Sequence, residues 1–333
     1  MNGKRWAAIL IAAALFLFSV LTNALSFVST SNFSETLEEL FMTETPYVEE
    51  VIEDGDILNK IVVVNVNGTI QSSTDSLLGT TTYNHENFIK TLKNIKEDPT
   101  VAGVVMKVNT PGGGVVESAE ILKQVKEIQA NGVPVYVSMQ GTAASGGYYI
   151  SASADKIFAL EDTLTGSLGV IMQSVNYSQL AENLGVEFIT IKSGEFKDIM
   201  SGSREMTEEE KQIMQSMIDN SYNKFVDIIA EGRNMSKEQV RKIADGRIYD
   251  GIQAKQVNLV DEFGDLDDTI QAMKKDYDLS TASVVEYTDN IPIGSLFAAT
   301  AKSLVTSEDV ATNSLLEILS QSSSPRLMYL YTE

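Results

Sequence analysis

Apolar, β-branched runs alternating with helix-periodic segments limit this chain more than any other feature. Lys60–Val66 (KIVVVNV) and Val101–Val108 (VAGVVMKV) are continuous apolar runs, as expected of strands buried on both faces. Pro134–Met139 (PVYVSM) is a third. Between them, Asn84–Glu97 carries Phe88, Leu92 and Ile95 on one helical face, and Val116–Ala130 carries Ile121, Val125 and Ile128. Lys156–Leu160 and Gly169–Met172 read as short strands, Tyr177–Leu184 as a helix and Val186–Ile191 as a further strand. This alternation predicts a largely parallel α/β sheet. Right-handed crossovers then place two turns, Asn109–Gly114 (NTPGGG) and Gly141–Ile150 (GTAASGGYYI), at the C-terminal ends of their strands on one sheet edge.

The second of these turns puts Ser145 at a strand-to-helix junction among glycines and alanines. Such a turn lifts a hydroxyl to the end of a sheet and leaves backbone N–H groups free beside it. A nucleophilic serine also needs a base. The chain has one histidine, His85, and no cysteine, which excludes a thiol nucleophile, thiolate metal ligands and disulfides. His85 lies at the expected start of an exposed helix, and a surface histidine is its simpler reading. A lysine, as in Ser-Lys variants of the triad, is the better partner for Ser145. Lys197, in Lys192–Ser201 (KSGEFKDIMS), follows the 186–191 run and neighbours Phe196, Ile199 and Met200. Apolar surroundings lower a lysine's pKa by desolvation, which a base near neutral pH requires. The alternative is a surface lysine paired with Asp198 or Glu195. The glycines after Pro111 let backbone N–H groups approach a ligand, but lack the Gly-Lys-Ser/Thr ending of a phosphate-binding loop. No metal-ligand cluster or nucleotide loop is present in the sequence, so no cofactor is expected.

With 25 basic and 46 acidic side chains, the net charge is −21, which argues against nucleic acid as a partner. Residues 1–5 are a short basic start. Residues 6–28 are apolar and long enough to span a bilayer, and the preceding Lys4 and Arg5 place the rest of the chain outside the cytoplasm. An uncleaved anchor fits better than a cleaved signal peptide, because Asn23–Leu25 is a poor small-x-small site. Residues 29–58 read as an acidic linker, with nine carboxylates and no Lys or Arg between Glu35 and Asp56. Residues 59–288 read as the globular domain and 289–333 as a C-terminal segment. Within the domain, Thr207–Glu210 opens a long helix to about Gly232, Ser236–Gln239 caps a shorter one, and Asp261–Tyr277 is a last helical stretch. Residues 280–313 fit no single pattern. The tail ends in an apolar peptide, Leu327–Tyr331 (LMYLY).

Together these segments resemble the signal peptide peptidase A family of membrane-anchored serine proteases, short bacterial form, over about Lys60–Asp268. The resemblance rests on NTPGGG, AASGGYY, TGSLGV (165–170), SGEFKD (193–198) and GRIYDG (246–251) through LVDE (259–262), in that order. It implies an α/β domain of the Clp protease/crotonase-like fold, with repeated β-β-α units and a helical extension, after one N-terminal transmembrane helix. It implies Ser145 as nucleophile, Lys197 as general base and Ser167 orienting the lysine amine. The oxyanion hole would be the N–H of Gly146 and one of Gly112 or Gly113. In the short form the lysine of one subunit serves the serine of its neighbour, so a ring-shaped homo-oligomer is implied. The substrates implied are signal peptide remnants and other short apolar peptides, outside the cytoplasm. The C-terminal peptide is apolar enough to enter such a site as an internal ligand. A crotonase-like acyl-CoA enzyme and a non-catalytic membrane scaffold of the same fold are the rival readings.

Overall fold

The computed structural model describes residues 46–72, 83–289 and 326–331, all within one structural unit. The expected anchor at 6–28, residues 1–5, most of the acidic segment and residues 290–325 lie outside the described residues. Among the described residues, no helix is long and apolar enough to cross a membrane.

The chain begins with β1 (Tyr47–Glu53) and β2 (Asp56–Asn67), then α1 (His85–Glu97), β3 (Val101–Thr110), a short β4 (Gly112–Gly114) and α2 (Val115–Ala130). Next come β5 (Val135–Ala144), α3 (Gly146–Ser151), β6 (Lys156–Ala159), β7 (Leu164–Gly166) and α4 (Ser178–Asn183). The second half has α5 (Glu208–Gly232), α6 (Lys237–Ile243), β8 (Ile248–Tyr249), α7 (Gly251–Gln256), β9 (Glu262–Phe263), α8 (Leu266–Asp276), β10 (Ala282–Asp289) and β11 (Met328–Leu330). The main sheet runs β1-β10-β2-β3-β5-β6-β9, with β7 and β8 branching from the end of β5. Its centre is parallel, as the alternation predicted. The strand β2 shows why: Val62, Val64 and Val66 face the core under α1 and α2, while Ile61 and Val63 face the core under α8. Each fully buried aliphatic side chain contributes roughly 1.5–3 kcal/mol, so a strand apolar on both faces is stable only in the middle of such a sandwich.

Several expectations change. Tyr47–Glu53, assigned to the acidic linker, is an edge strand antiparallel to β10, its carboxylates facing water and Tyr47 stacked on Tyr287 at 3.9 Å. The unassigned stretch after 280 supplies β10, inserted parallel to β2. Gly169–Met172 forms only a single bridge, Ile171 to Met328. Val186–Ile191 is not a strand: it is exposed and forms no strand pairing among the described residues. His85 is no surface residue. It is 7% exposed, with Nδ1 2.8 Å from the Tyr83 hydroxyl and Nε2 2.7 Å from Glu120. Tyr83 O–H donating to Nδ1 and Nε2–H donating to the carboxylate satisfies all three groups.

Candidate active site

The strands β3 and β5 lie side by side, so the turns that follow them meet. Ser145 is the residue between β5 and α3. Its backbone sits at φ 53, ψ −110, a region L-residues rarely adopt, and its N–H donates to Gly166 O at 2.8 Å. This sharp turn is what ends the strand and starts the helix within one residue. Gly146 and Gly147 let α3 press against the end of β3, since a Cβ on Gly147 would lie 2.7 Å from Thr110 Cγ2. Ser145 is buried, and its hydroxyl has no hydrogen-bond partner among the described residues. A buried hydroxyl without a partner is costly, and leaves its hydrogen-bonding capacity open to a ligand or a base.

The oxyanion donors separate on geometry. Gly112 has φ +101, and its N–H donates to Thr110 Oγ1 at 3.0 Å, so it is already committed. The Gly112 carbonyl and the Gly114 N–H are both taken by Ile70, at 2.8 Å each. Alternation along the strand therefore turns the Gly113 N–H and C=O to the opposite side. A Cβ on Gly146 would lie 3.0 Å from Gly113 N, so these two glycines adjoin. The Gly146 N–H opens the first turn of α3, where no acceptor exists within the helix.

The strand that uses this edge is β11. Met328–Leu330 pairs antiparallel with Gly112–Gly114, Tyr329 opposite Gly113. The pairing extends through Val115 N–H to Leu327 O (3.3 Å) and Tyr331 N–H to Pro111 O (2.8 Å). On its other side, Met328 and Ile171 exchange backbone hydrogen bonds at 3.0 Å. The peptide thus lies between two backbone rails. A Cβ on Gly112 would meet both Tyr329 O (2.1 Å) and Gly146 N (2.5 Å), so the Tyr329 carbonyl points at the Gly113–Gly146 corner beside Ser145. The Tyr329 ring is buried between Tyr149 and Phe225, at 4.7 and 4.8 Å between centroids, and its hydroxyl donates to Ser221 O at 3.1 Å.

Ser167 follows the β7 residue paired with Ala144, which puts it level with Ser145. It too has positive φ (50°), is 9% exposed, and donates its N–H to Arg247 O at 2.7 Å. Beside it is a cavity of about 550 Å³ whose far wall includes Tyr222, Leu330 and Tyr331. Lys197 is not part of this cluster. It is exposed on the 192–204 segment, and its amine has no hydrogen-bond or ion-pair partner among the described residues. The alternative pairing with Asp198 does not form either, because Asp198 binds Lys192 and Arg204 instead. Arg204 also grips Glu210 in the first turn of α5, where Thr207 and Glu210 form the predicted capping box. Hydrogen bonds from Arg204 and then Lys192 hold the Asp198 carboxyl well below the usual range, and Arg204 with the Thr207 N–H lowers Glu210 to about 2. One residue of the groove escaped the sequence reading: Glu117, in the first turn of α2, whose motif NTPGGGVVE reads as an ordinary helix start.

A strained serine turn, two adjoining backbone N–H groups and a strand-shaped groove fit a peptide-bond hydrolase, and comparison with known proteins agrees. The profile of peptidase family S49 matches residues 127–280. The chain is 41% identical over 342 residues to an Enterococcus faecium protein named "Putative signal peptide peptidase SppA", covering 99% of both chains. It is 34% identical to Protease 4 of Haemophilus influenzae, across 69% of this chain and 36% of that one, and 29% identical to the chloroplastic serine protease SPPA of Arabidopsis thaliana, across 57% and 28%. Among solved structures, a ClpP1 mutant from Listeria monocytogenes aligns with a TM-score of 0.41 at 21% identity, covering 62% of this chain and 94% of that one. The chain belongs to peptidase family S49 and is a serine peptidase. That membership sets aside the acyl-CoA and scaffold readings.

Proposed function

We propose that this peptidase is anchored in the membrane by residues 6–28, faces away from the cytoplasm, and cleaves signal peptide remnants and other short apolar peptides with a Ser145/Lys197 dyad completed between subunits. The position of the tail carries this reading. An extended apolar peptide lies along Gly112–Gly114 with one carbonyl at the Gly113–Gly146 corner, as a substrate must lie for attack by Ser145.

In the proposed reaction a neutral Lys197 amine takes the Ser145 proton as Oγ attacks the carbonyl carbon. The Gly113 and Gly146 N–H groups receive the oxyanion. The ammonium then protonates the departing amine, and water releases the acyl group by the same steps in reverse order. Ser167 holds the amine in line. Two observations favour a neighbour as the source of the lysine. Lys197 has no hydrogen-bond or ion-pair partner among the described residues, and it follows a run of exposed apolar side chains, with Val175 78%, Ile189 83% and Ile191 96% exposed. Apolar surface of this extent marks an interface. Burial there would desolvate Lys197, and the space beside Ser167 can receive it. We further propose that the tail competes with substrate for the groove.

A peptide-like fluorophosphonate tests the nucleophile. One adduct is expected by intact mass, mapped to Ser145 and strongly diminished in Lys197→Ala. Labelling elsewhere, or equal labelling of the assembled lysine variant, would reject the dyad.

A further inference from the structure

The groove contains a charged group that the hydrolysis of apolar peptides does not require. Glu117 is 7% exposed, and its carboxylate lies over the groove floor: a Cβ on Gly114 would be 1.9 Å from Oε2. Oε1 accepts from the Ser72 N–H at 3.1 Å and pairs with Arg326 of the tail at 3.3 Å. The second arm of the Arg326 guanidinium reaches Gln71 Oε1 at 3.3 Å. Burial opposes the charge on Glu117, but its own backbone N–H, the Ser72 N–H and Arg326 together keep the carboxyl below its ordinary range. A buried carboxylate kept ionised attracts a cation strongly and penalises an anion or an apolar group in the same place. Among the described residues, Arg326 is its only ion-pair partner. Arg326 belongs to the same peptide that fills the groove.

We propose that Glu117, with Gln71, is a specificity determinant that selects Arg or Lys three residues before the residue whose carbonyl faces Gly113 and Gly146. The register follows from the tail, where Tyr329 occupies the attacked position and Arg326 lies three residues upstream. The substrate class is then narrower than apolar peptides: a basic residue followed at once by an apolar stretch, cut just inside that stretch. This inference rests on the peptidase reading for its biological meaning, but not for its measurement.

Two readouts separate them. In the full-length assembled protein, kcat/KM is measured for Arg-Leu-Met-Tyr-aminomethylcoumarin and its Lys, Gln and Glu analogues at the first position. Wild type is expected to favour Arg and Lys over Gln about tenfold, with Glu poorest. In Glu117→Gln the Arg-to-Gln ratio falls toward one. Binding of the labelled hexapeptides Arg-Leu-Met-Tyr-Leu-Tyr and Gln-Leu-Met-Tyr-Leu-Tyr is followed in parallel by anisotropy with Ser145→Ala, which needs no turnover. An Arg preference in binding without hydrolysis in wild type would leave the subsite standing and remove the peptidase mechanism. Equal treatment of the four peptides by wild type would overturn the proposal, and that arm needs no groove variant to fold. A Glu117→Gln chain that loses Arg and Gln peptides in equal proportion would assign Glu117 a structural role and overturn it too.

Discussion

Ser145 combines a buried, unpartnered hydroxyl with a backbone at φ 53, and both are costs to the folded state. Residues held in such regions store about 1–3 kcal/mol, tolerated where the geometry serves a site. Ser145→Gly should therefore raise stability by about 1 kcal/mol in thermal unfolding while lowering peptide hydrolysis at least ~10³-fold. An unchanged or lowered Tm would mean the turn is unstrained. The turn that holds Ser145 was legible because a strand run, a small-residue turn and a helix follow one another directly. The choice between Gly112 and Gly113 was not, since it depends on which N–H the Thr110 hydroxyl and Ile70 already occupy. Nor was Glu117, whose meaning comes from an arginine more than two hundred positions away.

The elements carrying the site differ in how firmly they are held. The strands β3 and β5 and the helix α3 are buried, whereas the 192–204 segment is fastened to α5 through Asp198, Arg204 and Glu210. Both carboxyls are depressed, so this anchoring is complete above their ordinary values and is lost as pH falls from about 4.5 toward 2. Amide protection factors in 192–204, which divide out the intrinsic pH dependence of exchange, should hold from pH 7 to about 5 and drop below about 4. Arg204→Ala should remove the protection at neutral pH and reduce kcat several-fold, and protection equal to wild type would show that the arginine does not hold the segment. For the tail, deletion of residues 326–333 should raise turnover of short peptides several-fold, and unchanged turnover would count against competition for the groove. The central strands and the capped helices were readable from periodicity and from Thr207–Glu210 and Ser236–Gln239. Val186–Ile191 misled because its β-propensity finds no partner strand among the described residues. The edge strand β1 was hidden because its outward carboxylates look like a solvated linker.

At the scale of the whole molecule, the proposed dyad would leave a single chain with an incomplete site. It has Ser145, the Gly113–Gly146 corner and the groove, while Lys197, the proposed base, is exposed just after a stretch of uncovered apolar side chains. Subunit association would bury that surface and bring a neighbour's Lys197 to Ser145, as a head-to-tail ring allows. Complementation between inactive variants tests this most directly. Full-length Ser145→Ala and Lys197→Ala are assembled separately and, after dissociation and remixing, together, and peptide hydrolysis is measured in each. Each variant alone should be inactive. The equal mixture should recover roughly a quarter of wild-type activity, because half of the sites hold an intact serine and half of those meet an intact lysine across the interface. A remixed assembly with no recovered activity would place serine and lysine in one chain and contradict the shared site.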